Sequence, residues 1–411
     1  MLSFIRDNAR WIVGGFLLTF FSSFGQTFFI ALSAGEIRAE YGLSHGDFGA
    51  LYMVATLASA LTLPWLGKIV DTFSAATVAL IIMPFLALGA LGMAFSTHIV
   101  FLVVVIYMLR LFGQGMMTQN ALTATGRWFA ANRGRAVSYV VLGHNTGEAL
   151  LPIVFVALAA AIGWRNSWVL AALVLVVFAL PAIYALVRVE RAPQSIARSD
   201  GTPVVRDWTR AEVLRDAPFW LLLLGVLAPA FIGTTIFFHQ VYLSEIRGWP
   251  PELFAAAFAV MAATTITFAL ISGVLIDKFS ALRLLPTFLI PLALSCIVLG
   301  LFGQAWAPFV FMALMGVSYG FSSTLFGALW PEIYGTKHLG AIRAVIVAIM
   351  VFATAAGPGI TGYLIDVGVA YPAQIMAMGV YCIAMVGLMT AVSRHLIARL
   401  ASDDAALLAK A

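Results

Sequence analysis

Residues 67–75 read Gly-Lys-Ile-Val-Asp-Thr-Phe-Ser-Ala, and residues 273–281 read Gly-Val-Leu-Ile-Asp-Lys-Phe-Ser-Ala. The two stretches lie half a chain length apart and share the first glycine, the central aspartate and the closing Phe-Ser-Ala, so the chain consists of two related halves. Each copy follows a long apolar run. Gly67 and Gly273 permit close backbone approach where a helix ends. Asp71 and Asp277 then set a carboxylate at the helix edge, where it can cap the N-terminus of a neighbouring helix or pair with a basic residue. A repeated helix-end turn alone would explain the glycines, but not the common spacing, aspartate and Phe-Ser-Ala.

Around these copies the composition is that of a protein dissolved in lipid. Of 411 residues, 62% are hydrophobic and 10% charged, with a mean hydropathy of +1.01. Apolar runs of about 20 residues, the length that spans a bilayer core, recur along the chain. The expected helices are 11–33, 47–66, 76–95, 99–124, 136–161 and 166–187, then 217–242, 252–275, 283–302, 305–328, 342–366 and 371–393. Strand-like alternation is absent, which argues against a membrane barrel. The expectation is an all-α membrane protein of about twelve transmembrane helices in two pseudo-symmetric six-helix bundles. The first half covers 1–188, a cytoplasmic linker 189–216, the second half 217–395 and a cytoplasmic tail 396–411. The run from Trp11 to Ser33 is too long for a signal peptide and is read as a retained helix. The linker carries Arg191, Arg198, Arg206, Arg210 and Arg215 with Pro193, Gly201 and Pro203 and reads as solvated, with a short surface helix within 207–215. Cys296 and Cys382 lie in separate apolar runs without metal-ligand spacing and read as packing residues.

With the N-terminus inside, 19 Lys and Arg fall on the cytoplasmic side, Arg38, Arg165 and Arg247 fall outside, and Arg110 lies within a span. By the positive-inside rule, the expectation is a multi-pass protein of the cell inner (plasma) membrane with both termini cytoplasmic. The formal charge of +5 belongs to loops facing anionic headgroups and does not point to nucleic acid.

With its Gly67-to-Asp71 loop and the echo at Gly273-to-Asp277, the chain resembles the major facilitator superfamily over essentially its whole length. The resemblance implies that Asp71, and more weakly Asp277, with Gly67 and Gly273, belong to a cytoplasmic lock that steadies one gating state. Ser74 stands where that signature has its second glycine, and Thr72 where it has arginine. Arg110-Leu-Phe-Gly-Gln-Gly115 is similar to the family's buried-arginine motif. Gly126-Arg-Trp-Phe129, Asn132-Arg-Gly-Arg135, Gly143-His-Asn-Thr-Gly147 and Pro152 are similar to its monocarboxylate and oxalate/formate branch. The helix with Gly357-Pro-Gly359 and Gly362 is the pseudo-repeat of the fifth.

An ionised side chain at mid-bilayer costs a few kcal/mol unless paired or hydrated. Arg110 and Glu148 fall near the middle of the fourth and fifth helices and are expected to form a buried ion pair or to serve a substrate and a proton in turn. His144, one turn before Glu148, completes a titratable cluster. A permanent salt bridge that only orients two helices is the structural alternative. Gln26, Gln114, Gln119, Asn120 and Asn145 are candidates to line a cavity in the first half, and equally candidates for helix-to-helix hydrogen bonding. In the second half the candidates are His239, Gln240, Tyr242, Thr264, Thr265, Tyr319, Ser322 and Ser323, with His239 expected at a vestibule or gate.

Catalytic and nucleotide-binding motifs are absent, so neither an enzyme nor a cofactor or metal protein is expected. The expectation is a monomeric secondary active transporter of a small solute, working by alternating access, with a monocarboxylate-like organic anion as substrate and protons as coupling ion. The alternatives are a neutral or aromatic metabolite, drug efflux, or a non-transporting membrane receptor.

Overall fold

The computed structural model describes residues 2–43, 45–130, 132–189, 191 and 206–408. The linker residues 192–205, with Pro193, Arg198, Gly201 and Pro203, and the last three tail residues lie outside the described residues. No strand occurs among those described.

Among the described residues, eleven helices are long and apolar enough to cross a membrane, and one bent pair, taken as a single span, brings the number to twelve. In chain order, α1 is the pair Arg6–Gly25 and Thr27–Tyr41, bent by 43°, followed by α2 (Asp47–Thr72), α3 (Ala75–Phe95), α4 (Ile99–Trp128), α5 (Arg133–Ile162) and α6 (Trp164–Val187). The second set is α7 (Ala217–Phe238), α8 (Ala256–Phe279), α9 (Ala281–Leu301), α10 (Ala307–Tyr334), α11 (Leu339–Asp366) and α12 (Tyr371–Ser402). Large apolar side chains such as Phe95, Ile153, Val177 and Phe352 are exposed. Lipid, not water, is the solvent in which such a surface is stable.

The order of helices follows the sequence reading; α6 carries a π segment, Val174–Ala179, and α7 a break at Leu227, and three further departures bear on the site. The first is the bend in α1, expected as one helix. The segment Ser22–Gly25 tightens to a 3₁₀ turn and Gln26 is extended, at φ −83° and ψ 154°. The second is a widened π segment, Leu109–Met117, inside α4. The third concerns the repeat, whose aspartates do not follow the helix but sit in the last turns of α2 and α8. Its Phe-Ser-Ala ending has a local purpose: Ser74 Oγ accepts from Thr77 N at 3.1 Å and caps α3, and Ser280 Oγ accepts from Arg283 N at 3.3 Å and caps α9.

Two of the three arginines that the charge pattern predicts outside are tied to the C-terminal ends of helices. Arg165 donates to the carbonyls of Ala94 (2.5 Å) and Ser96 (2.7 Å) beyond α3, and Arg247 to that of Gly300 (2.7 Å) in α9. A cation is favoured there by the helix dipole and by carbonyls lacking an intrahelical partner.

The end of the linker is not free in solvent. Arg210–Arg215 is helical, with a capping box between Thr209 and Glu212. Asp207 accepts from Thr336 N (2.8 Å), Trp208 N donates to Tyr334 O (3.0 Å), and Asp216 pairs with Arg399 (2.9 Å) while accepting from Tyr334 Oη (2.9 Å). Cys296 and Cys382 are free and buried.

Two compact units result, and they are not the continuous halves of the sequence. One holds Met1–Phe129, Tyr139–Gln194 and Lys337–Val351; the other holds Ala130–Ser138, Ser195–Thr336 and Phe352–Ala411. The N-terminal end of α11 thus clusters with the first unit and that of α5 with the second, for a reason that lies in the repeated aspartates.

Candidate functional site

Asp71 and Asp277 are both helix caps. In the first unit, Asp71 Oδ1 accepts from Gly340 N and Oδ2 from Ala341 N, each at 2.7 Å, so the carboxylate closes the N-terminus of α11. Arg127 pairs with the same carboxylate and donates to Val70 O at 2.7 Å. In the second unit, Asp277 accepts from Gly134 N at 2.7 Å and Arg135 N at 3.3 Å, closing the N-terminus of α5, and pairs with Arg135 Nε at 3.1 Å. A carboxylate on uncompensated helix N–H groups is favoured by both hydrogen bonding and the macrodipole.

The glycines make that approach possible. A Cβ on Gly67 would lie 2.6 Å from Ala344 Cβ, and one on Gly273 would lie 2.6 Å from Ser138 Oγ and 2.9 Å from Gly134 O. Gln119, a cavity candidate from sequence, donates instead to Gly340 O beside the Asp71 cap, and Asn120 donates to Ala75 O at 2.9 Å. Both serve helix packing. The role of Arg127 is visible only in the fold, and so is that of Glu332, whose carboxylate accepts from Ala281 N (2.9 Å) and Leu282 N (3.3 Å) at the start of α9.

Arg110 lies where the two irregular helices meet. Gly25, at the bend of α1, faces Gly113, in the π segment of α4: a Cβ on Gly25 would sit 2.1 Å from Leu109 O and 2.7 Å from Gly113 Cα. Breaking α1 leaves carbonyls without helical donors, and Arg110 reaches into that gap. Its Nη1 donates to Thr27 Oγ1 at 2.9 Å and approaches Gly25 O at 3.5 Å. Its guanidinium lies 5.5 Å from the Tyr52 ring centroid, and Tyr52 Oη donates to the same Thr27 Oγ1 at 2.9 Å. Arg110 is 5% exposed, and its Nε has no hydrogen-bond acceptor. π segments and interrupted spans recur at functional positions in membrane proteins. Because the packing is backbone against backbone, Gly25→Ala is expected to cost about 1–3 kcal/mol by overpacking and to lower the melting temperature of the purified protein. An unchanged melting temperature would mean that the two glycines are not in contact.

The expected Arg110–Glu148 ion pair does not form. Arg110 has no ion pair among the described residues, whereas Glu148 is exposed and also unpaired. The reason is the turn of α5: Gly143 and Gly147 face α1, where Cβ atoms would meet Phe16 O at 2.1 Å and Ser23 Oγ at 2.2 Å, so Glu148 is rotated off that face. His144 lies half-buried with its ring 6.0 Å from that of Phe28. Asn145 Nδ2, Gln114 Oε1 and Ser23 Oγ are buried without partners, and Gln26 is buried at the α1 bend. A cavity of about 10 Å³, lined by Ser59, Leu63, Arg110 and Gln114 among others, has room for a single water. Thr27 and Tyr52 went unnoticed in the sequence. The signal that could have found the bend was the polar run Ser22, Ser23, Gly25, Gln26 and Thr27 inside an apolar helix.

In the second unit, Tyr319 Oη donates to Pro229 O at 3.0 Å and His239 Nε2 lies 3.1 Å from Pro358 O, so both rings tie α7 to its neighbours. Thr264 donates to Val260 O, one turn back.

Comparison with known proteins agrees with this architecture. The profile of the Major Facilitator Superfamily matches residues 15–358 and 234–403. The uncharacterized MFS-type transporter YhjX of Escherichia coli is 22% identical over 83% of this chain and 84% of its own length. Bovine (Bos taurus) monocarboxylate transporter 13 is 26% identical over 74% of this chain and 70% of its own. Among solved structures, the Escherichia coli fucose:proton symporter FucP aligns with a TM-score of 0.72 at 12% identity, covering 96% of this chain and 99% of that one. The human organic anion transporter MFSD10 aligns with a TM-score of 0.69 at 14% identity, covering 93% and 99%. The chain is a multi-pass membrane protein of the major facilitator superfamily, a transporter whose small-molecule substrate is handled within the bilayer.

Proposed function

We propose that the protein is a secondary active transporter of a small organic anion, with Arg110 as the residue that binds the anion. The observation that carries this reading is a buried guanidinium whose Nε lacks an acceptor and which has no ion-pair partner among the described residues. A charge held in a membrane span is costly unless compensated, and a planar fork suits a carboxylate. Neither Thr27 nor the Tyr52 ring supplies a negative charge. The cavity beside Arg110 is too small for a substrate, so binding requires the α1 bend or Tyr52 to move aside. The relatives named as monocarboxylate and organic anion transporters favour the same substrate class.

Gln26, Gln114 and Asn145 supply the neutral polar contacts, and Tyr319 braces the second half. Asp71 with Gly67, and Asp277 with Gly273, act as gating contacts that hold the starts of α11 and α5 and are released as the two repeats alternate. Glu148 and His144 carry the coupling proton, and the protein works as a monomer in the inner membrane with both termini cytoplasmic. On this reading, Glu148→Gln abolishes gradient-driven accumulation in proteoliposomes while exchange of internal for external substrate continues. Accumulation unchanged by the substitution would remove Glu148 from coupling.

A second reading rests on the unpartnered Gln114 Oε1 and Asn145 Nδ2, which suit a neutral polar metabolite. Binding of carboxylates and of neutral metabolites to the purified protein and to its Arg110→Lys variant separates the two. Loss of carboxylate binding in the variant supports the anion, and equal binding supports the neutral solute.

A further inference from the structure

The second unit contains a cavity of about 590 Å³ that the transport reading does not use. It lies among α7, α11 and α12, with Leu227, Phe231, Leu364, Ala377 and Met378 in its wall. The wall is apolar but for Thr361, Gln374 and Tyr381, and among its residues Ile360 and Ala377 are exposed. All three helices are membrane spans, and the lining runs from Leu224 in α7 to Val369 between α11 and α12. Its size is within the range of about 300–1,000 Å³ common for small-molecule sites.

One polar group in the wall lacks a partner. Gln374 is 6% exposed, and its Oε1 has no hydrogen-bond donor. Its Nε2 donates to Val369 O at 3.0 Å, and since a carbonyl can only accept, the side-chain amide cannot be turned round to free its N–H. The vacant function is therefore an acceptor. Of the other polar residues in the wall, Thr361 is buried, and Tyr381 is engaged: its hydroxyl donates to Leu224 O at 2.8 Å, one turn before α7 breaks at Leu227. A buried acceptor left unsatisfied keeps its full desolvation cost, and a hydrocarbon chain alone cannot relieve it.

We infer that this cavity binds a membrane lipid, taking one hydrocarbon chain against Leu227, Phe231 and Met378 and a hydroxyl donor on Gln374 Oε1. An anionic or strongly hydrated solute finds no cation and few hydrogen-bonding groups among the lining residues, so the site is separate from that at Arg110. The occupant needs a donor at the end of a chain, which a saturated hydrocarbon or an ether does not have.

The test uses the full-length protein in lipid nanodiscs with two photoreactive diazirine probes, hexadecanol and its methyl ether, each mapped by peptide mass spectrometry after irradiation. The hydroxyl probe is expected to label 224–232 and 373–381 about five times more than the ether, the factor that one net hydrogen bond provides. Gln374→Leu is expected to bring that ratio to one, and Ala377→Trp to reduce labelling by both probes by filling the space. Equal labelling of the unmodified protein by the two probes, or label spread evenly over all spans, would overturn the inference. That comparison depends on no variant and does not involve Arg110, so it stands or falls apart from the anion reading.

Discussion

Arg110→Ala is expected to weaken binding of the proposed carboxylate substrate by roughly 30-fold at the least, because truncating one member of a buried, hydrogen-bonded charge pair costs about 2–5 kcal/mol. The fold should survive. Glu148 is exposed and unpaired, so removing Arg110 leaves no buried carboxylate without a partner. What is lost locally is the donor to Thr27 Oγ1 and the stacking on Tyr52, while the Gly25–Gly113 contact that joins α1 to α4 remains. Arg110→Lys retains the charge but not the planar fork, and is expected to bind the carboxylate at least tenfold more weakly. Isothermal titration of both variants in detergent, with far-ultraviolet circular dichroism to check helicity, reads these effects. Affinity preserved in Arg110→Lys would assign the arginine to packing.

The second large effect is expected at Asp71. Asp71→Asn keeps the shape and one acceptor oxygen, but removes the charge from a group that caps two amides of α11 and holds Arg127. Arg127 retains Val70 O, so the loss falls mainly on the cap, which is worth about 0.5–2 kcal/mol or more when charged. Transport turnover is expected to fall by more than tenfold with substrate affinity within about threefold. Amide hydrogen exchange over 339–342 should rise at the same time, a readout that does not require the substrate. An equal loss of affinity, or exchange unchanged at Gly340 and Ala341, would count against a gating role. Asp277→Asn is expected to do less, since its second cap bond, from Arg135 N, is 3.3 Å long where both of Asp71's are 2.7 Å.

Most of the helical layout could be read from the sequence because lipid imposes one requirement, a run of apolar residues of fixed length, and each span meets it. The aspartate caps were legible for a different reason: a duplicated motif shows which of its residues both halves need. Phe-Ser-Ala was visible as a repeat, but its use, Ser74 and Ser280 as N-caps, depends on where the preceding helix stops. The α1 bend and the π segment of α4 were not legible from hydropathy, which averages over both. They depend on two glycines, Gly25 and Gly113, meeting from distant parts of the chain. The Arg110–Glu148 pair failed because depth along a helix says nothing about rotation around it. Gly143 and Gly147 set that rotation by packing against α1, and Glu148 follows them outward.

The central claim, that Arg110 holds an anion, is tested most directly by thermal stability of the purified protein in the presence of small carboxylates and of neutral metabolites of similar size, since a ligand that binds only the folded state raises the melting temperature. The account predicts stabilisation by at least one carboxylate, absent in a folded Arg110→Lys variant. Stabilisation by neutral compounds alone, unchanged in that variant, would contradict it and shift the site to Gln114 and Asn145.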